Sequence, residues 1–318
     1  MRVPGFCGYG RMAEEEESSK TGQSQAEDGR TESAEAPDSA GGTEESVPEG
    51  SVRTNGGEVI ALSTLEHQDE NAASVVYFTS DISPEAMTEI YHALGEGLSG
   101  ENIAVKLSTG EPPASNYLDP ALIADLVHEV DGTIVENNTA YGGQRASTAM
   151  HYQVAEDHGF TEIADFVVLD EDGSVSLPAE GGTRLSENLV GAHFPEYDCY
   201  LVLSHFKGHA MAGFGGAIKN ISIGMASQEG KCLIHTAGES HTSPWGGEQD
   251  PFTESMAEAG KSVVDALDQA CVDLVYASQD DTASLIERME SRNAVHVLEH
   301  GEEIGLGSRS YQMVSIDG

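Results

Sequence analysis

The sequence predicts an α/β fold: a mostly parallel sheet in Rossmann-like layers, with helices on both faces, behind a disordered acidic N-terminal tail. Three observations predict it. From residue 74 onward, short apolar runs alternate with segments of helical periodicity, the pattern of a parallel sheet crossed by helices. Two of those segments open on a capping residue followed by proline, Ser83-Pro84 and Asp119-Pro120, as helix starts do. Residues 1–70 carry 16 acids, 5 bases and few large apolar side chains, so they bury too little surface to offset the entropy of ordering. The expected division is therefore a tail over 1–70 and an α/β domain over 71–318.

The elements follow in order. "SVVYFTS" (74–80) reads as a buried strand and "SPEAMTEIYHALGEGL" (83–98) as a capped helix. "NIAVKLS" (102–108) is a second strand, "DPALIADLVHEV" (119–130) a second capped helix and "GTIVENN" (132–138) a third strand. "RASTAMHYQVAEDHG" (145–159) is a helix that ends at Gly159, and "ADFVVLDED" (164–172) and "CYLVLSHF" (199–206) are further strands. In such sheets, ligands bind in the loops at the carboxyl ends of the strands.

Composition narrows the function. The 318 residues hold 55 acids against 15 bases, a formal charge of −40, so nucleic acid and anionic membrane surfaces would repel the chain. No run approaches the roughly 18 apolar residues of a spanning helix, and no secretory leader follows Arg2; the expected location is the cytoplasm. The four cysteines, Cys7, Cys199, Cys232 and Cys271, form no CxxC pair, which argues against a zinc ribbon or an iron–sulfur cluster in this chain. Cys199 and Cys271 read as small buried hydrophobes.

Three strand-ending loops draw the chemistry together: 108–120, 138–148 and 204–220. In a parallel sheet they bring Thr109, Glu111, Tyr141, Gln144, Arg145, His205, Lys207, His209 and Lys219 toward one cleft. Bases are scarce, yet Arg145, Lys207, Lys219 and Lys231 lie in or near these loops. A lysine among glycines in so acidic a chain calls for an anion or a covalent partner. Gly213, Gly215 and Gly216 let the backbone approach a ligand and free amides for it; with Tyr141, Thr109 and Lys219 they form the expected cofactor-binding set. Arg145 is suited to hold a carboxylate. His205 and His209 stand four apart, and neutral imidazole is the commonest metal ligand and a base near neutral pH.

The motifs "TAYGGQR", "LVLSHFKGHAMAGFGGAIKNISIGMAS", "KCLIH", "ALDQACVDLV" and "LEHGEEIGLGSRSYQMVSID" resemble the domain of unknown function 362 family, over about residues 74–318. That family is often found beside ferredoxin-type iron–sulfur modules, so the resemblance implies a separate ferredoxin-like iron–sulfur protein as partner. More distantly, the run from His209 through Lys219 to His235 is similar to a motif of the lactate racemase family, the nickel-pincer enzymes. That likeness implies His209 as general acid/base, Lys219 as the residue holding the cofactor, and His235 as a metal ligand, with His205 as a second candidate and a nickel-type or iron metal. Gln144 stands where that family places its other catalytic histidine, so the likeness extends to fold and site location rather than to the reaction. The chain also departs from the nearer family: "MAEAGKSVVDALDQACVDLV" joins two helices directly, where the family has a strand and a Cys-Asp-Cys motif. An internal segment is thus expected to be missing near 260–266.

Three functions remain open on this reading. One is an enzyme acting on a small organic acid, with a metal or cofactor at the strand carboxyl edge. The second is a binding module serving an iron–sulfur partner. The third is an inactive, truncated relative.

Overall fold

The structure, a computed structural model, describes residues 5–8, 47–95, 98, 100–113, 116–263, 268–279 and 282–317. The elements are β1 (Gly5–Gly8), β2 (Ser51–Arg53), β3 (Val59–Ala61), β4 (Val75–Phe78), α1 (Pro84–Ala93), β5 (Ile103–Lys106), α2 (Pro120–Glu129), β6 (Thr133–Glu136), α3 (Thr148–Asp157) and β7 (Phe166–Val168). There follow β8 (Ser174–Pro178), β9 (Glu187–Gly191), β10 (Cys199–His205), β11 (Lys207–His209), β12 (Gly213–Gly215), α4 (Ala217–Ile221) and α5 (Gln228–His235). The chain closes with α6 (Gln249–Val263), α7 (Gln269–Ala277), α8 (Ala283–Ser291), α9 (His296–Glu303) and β13 (Gln312–Ser315).

The central sheet has five strands in the order β1-β10-β5-β6-β7, all parallel. β5, β6 and β10 are nearly continuous apolar runs because both faces are covered. On one face Val105, Ile134, Leu201 and Leu203 pack against Ile123, Leu126 and Val127 of α2 and Met87 and Ile90 of α1. On the other, Ala104, Val135, Tyr200 and Val202 meet Ile221 of α4, Met225 and Val263 of α6. The expected α/β class, parallel sheet and two-sided helical cover are present. The capped starts form as read: Ser83 Oγ accepts from Ala86 N at 3.1 Å and Asp119 Oδ1 from Ala121 N at 2.9 Å.

Three expectations are corrected. The strand at 75–78 lies outside the central sheet; it pairs in parallel with β13, and Val75 is exposed. The tail does not extend to residue 70: the β2–β3 hairpin and the turn after it bury Val52, Ile60 and Leu65 against Leu274, Tyr311 and Met313. Residues 9–46 of that expected tail lie outside the described residues. Cys271 is buried but disulfide-bonded, whereas Cys199 and Cys232 are buried thiols outside any disulfide. The expected missing segment falls on the passage from α6 to α7, where residues 264–267 lie outside the described residues.

Candidate functional site

Parallel strands point their last residues at one edge, and here those residues are polar: Lys106 ends β5, Glu136 ends β6 and His205 ends β10. A cavity of about 100 Å³ opens at this edge, lined by residues of all three expected loops. Its cationic walls are Lys106, Arg145, Lys207, Lys219 and Lys231. Residues 71–318 contain ten lysines and arginines in all. Half of them converge on this one cavity, inside a chain with a large excess of carboxylates.

Glu136 is the buried counter-ion. Its Oε2 accepts from Thr109 N at 2.9 Å, Thr109 Oγ1 at 2.6 Å and His151 Nε2 at 3.0 Å, and its Oε1 accepts from Arg145 Nη1 at 2.6 Å. Burial opposes the carboxylate, but Arg145 and His151 outweigh it and hold Glu136 well below the usual glutamate range. Arg145 also donates through Nε to Glu111 Oε2 at 3.1 Å. Burial disfavours its charge, yet Glu136 and Glu111 prevail and raise its pKa. The guanidinium is therefore paired with two carboxylates, whereas the hydrogen bonds of Lys106 and Lys231 run to neutral oxygens.

Lys106 has no solvent exposure; its Nζ donates to Leu107 O at 2.6 Å and Asn220 Oδ1 at 2.8 Å. Burial is the main cause that brings its pKa down to about 7, and Lys231, Arg145 and Lys219 add to it against the pull of Glu136. Lys231 donates to Ala226 O at 2.5 Å and is lowered to about 8, chiefly by burial. Lys207 donates to Asn116 O at 2.7 Å. Lys219 makes no hydrogen bond or ion pair among the described residues. Burial, then Lys207, Arg145 and Lys231, lower it to about 8.

Local structure aims Lys219. Asp268 caps the short helix α4, accepting from Ala217 N at 2.6 Å and Ile218 N at 2.8 Å. A Cβ on Gly216 would come within 2.5 Å of Asp268 Oδ1, so the glycine makes that cap sterically open. Asn220, next to Lys219, donates to Leu203 O at 3.1 Å and Ser204 Oγ at 3.0 Å, which fastens α4 to β10 while its oxygen holds Lys106.

The expected site residues divide into two groups. Arg145, Tyr141, Gly215, Gly216, Lys219 and His205 line the cavity. Thr109, Gly213, His209 and His235 are not lining residues. Thr109 is fully buried and positions Glu136. Gly213 has φ +79°, and a Cβ there would meet the Ala294 side chain at 2.4 Å, so it serves hairpin packing against the residues after α8. His209 Nδ1 accepts from Met211 N at 3.3 Å and Ala212 N at 3.1 Å, holding the β11–β12 turn. Burial, with Lys219 and His235, keeps it neutral far below the usual histidine range. His235 is buried and stacks on Phe252 at 4.9 Å; its Nδ1 donates to Lys231 O at 2.7 Å, and burial brings it to about 4. Tyr141 meets His235 edge-on, with centroids 6.2 Å apart, and Trp245 at 5.9 Å, so an exposed tryptophan flanks the cavity.

Lys106 and Glu136 were not in the expected set. The available signal was a charged last residue on each of two otherwise apolar strands.

His235 has one ring nitrogen committed to a carbonyl, His205 Nδ1 is buried without a hydrogen-bond partner among the described residues, and both stand near lysines. The positive charge of Arg145, Lys207 and the protonated fraction of Lys219 and Lys231 disfavours a bare divalent cation at these donors. Among the described residues, the group of three ligand types within 4.8 Å is Glu171, Asp172 and His193, away from the cavity. Among the same residues, no helix is long and apolar enough to cross a membrane.

No curated protein matches the sequence. The profile of a domain of unknown function, DUF362, matches residues 103–291. That span runs from β5 to the end of α8 and contains every lining residue of the cavity. The chain belongs to the DUF362 family.

Proposed function

We propose that the chain is an enzyme that binds a small organic acid in the cavity at the carboxyl edge of the sheet. The observation that carries this reading is the convergence of Lys106, Arg145, Lys207, Lys219 and Lys231 on about 100 Å³. Arg145 is matched by Glu111 and Glu136, whereas Lys106 and Lys231 hydrogen-bond neutral oxygens and Lys219 makes no hydrogen bond among the described residues. Buried cations without counter-ions are costly, and a bound carboxylate removes that cost. The lowered lysines also supply neutral amine near pH 8, which ordinary lysines do not.

The only tryptophan, Trp245, sits against cavity-lining Tyr141 and reports on the site. Malonate or citrate, titrated at fixed ionic strength, is expected to change Trp245 emission and raise the unfolding temperature. A ligand at 100 times its Kd adds about 2.7 kcal/mol of stability. Acetate, malonate, citrate and phosphate acting only as chloride does at equal ionic strength would overturn the reading.

A further inference from the structure

Four lysines line the cavity, and three have oxygen acceptors. Lys106 is held by Leu107 O and Asn220 Oδ1, Lys231 by Ala226 O and Lys207 by Asn116 O. Lys219 is held by none among the described residues. Its stem passes Gly215, where a Cβ would stand 3.3 Å from Lys219 Cδ. Its helix is fixed by the Asp268 cap and the Asn220 staple. One amine is thus placed in a cationic cavity on a rigid support with its nitrogen unused. The other three are tied back to those oxygens.

We propose that Lys219 forms an imine with the carbonyl of a 2-oxo acid whose carboxylate lies against the neighbouring cations. This assignment rests on the organic-acid reading and names the substrate class. A 2-oxo acid fits because its carbonyl carbon adjoins the carboxylate: an acid anchored beside Arg145, Lys207 and Lys231 keeps that carbon within the cavity that Lys219 also lines.

The step balances. The neutral amine donates its lone pair to the carbonyl carbon, and the C–O π electrons move to oxygen. One proton passes from the nitrogen to that oxygen, and a second comes from a neighbouring ammonium. Water then leaves with the carbonyl oxygen, and a protonated C=N bond remains. That iminium withdraws the electron pair of a bond on the adjacent carbon, as in other lysine-imine enzymes. The required neutral amine is available: near pH 8 about half of Lys219 is deprotonated, against well under about 1% of an unperturbed lysine.

The test is reductive trapping on the full chain. Pyruvate, oxaloacetate and 2-oxoglutarate are each incubated with the protein and cyanoborohydride at pH 8, and labelled lysines are located by peptide mass mapping. Lys261, whose amine is tied to Ile304 O at 2.6 Å on α6, is the internal reference. The expected result is a mass gain on Lys219 equal to the acid less one oxygen, at a rate at least about tenfold above Lys261. Excess malonate should suppress it, and the rate should rise with pH through about 8. Malonate binding seen by Trp245 without preferential labelling of Lys219 would overturn the imine assignment and leave the organic-acid reading standing. Preferential labelling of Lys106 or Lys231 would overturn the choice of lysine. Failure of malonate and of all three 2-oxo acids to bind would remove both.

Discussion

Replacing Glu136 by glutamine removes one charge and leaves the shape intact, so it isolates what the buried carboxylate does. Both of its oxygens are occupied by donors: Thr109 N, Thr109 Oγ1 and His151 Nε2 on one, Arg145 Nη1 on the other. Glutamine offers one acceptor oxygen. If it serves Thr109 and His151, the amide NH2 faces the Arg145 Nη1 donor. The side chains of Arg145, Glu136 and His151 are 12%, 6% and 0% exposed. Removing one partner from so buried a pair costs about 3–5 kcal/mol. Arg145 keeps Glu111 and a bond to Ser108 Oγ at 3.2 Å, which puts the expectation at the lower end. Urea unfolding at pH 7, followed by circular dichroism, measures it. The pH dependence gives a second check. A carboxylate lowered in the fold contributes stability in full above its unfolded pKa, near 4.5, and loses it as pH falls through the folded value. Wild type should therefore lose more stability than E136Q between pH 6 and pH 3. A cost below about 1 kcal/mol, the range of an exposed ion pair, or parallel acid profiles would refute the claim that Glu136 is a buried, charge-paired anchor.

Two further predictions concern single positions. Lys106 is lowered from 10.5 to about 7, so between those values the unfolded chain binds a proton that the folded chain does not, and stability rises with pH across that window. Wild type should gain on the order of 3 kcal/mol from this group between pH 7 and 9.5; Lys106→Met should flatten that gain, and an unchanged slope in the variant would contradict it. Gly213→Ala combines a positive φ with a Cβ overlap on Ala294, and should cost about 2–4 kcal/mol in urea unfolding. Folded G213A should bind malonate as wild type does, whereas a tenfold loss of affinity would return Gly213 to the ligand site.

How much could be read from the sequence depended on whether the signal was local. The helix starts at Ser83 and Asp119 and the apolar strands at 103–106, 133–136 and 199–205 were legible because caps and buried runs are properties of neighbouring residues. The partner of the strand at 75–78 was not, because it comes from 312–315 at the other end of the chain. Val52, Ile60 and Leu65 were hidden in a polar stretch; three side chains barely change a composition, yet each finds a place against Tyr311 and Met313. The site followed the same division. Loop order and sheet parallelism were enough to bring Arg145, Tyr141, His205 and Lys219 to one cavity. The roles within it were not, because a glycine can serve a ligand or a neighbour equally well in sequence. Gly213 is spent on Ala294 and Gly216 on Asp268, and Gly215 stands beside the stem of Lys219. Lys106 shows the limit most clearly. It ends an apolar strand and lies outside the expected site, yet the fold closes over it and gives it Asn220. Two of its three apolar neighbours in β5 are fully buried, and so is the charge. A lysine is stable there only at a reduced pKa or with an anion close by. The glycine-rich loop from 209 to 227 is uncharged apart from Lys219, with its lowered pKa, for the same reason: its environment disfavours charge until a ligand brings the opposite one.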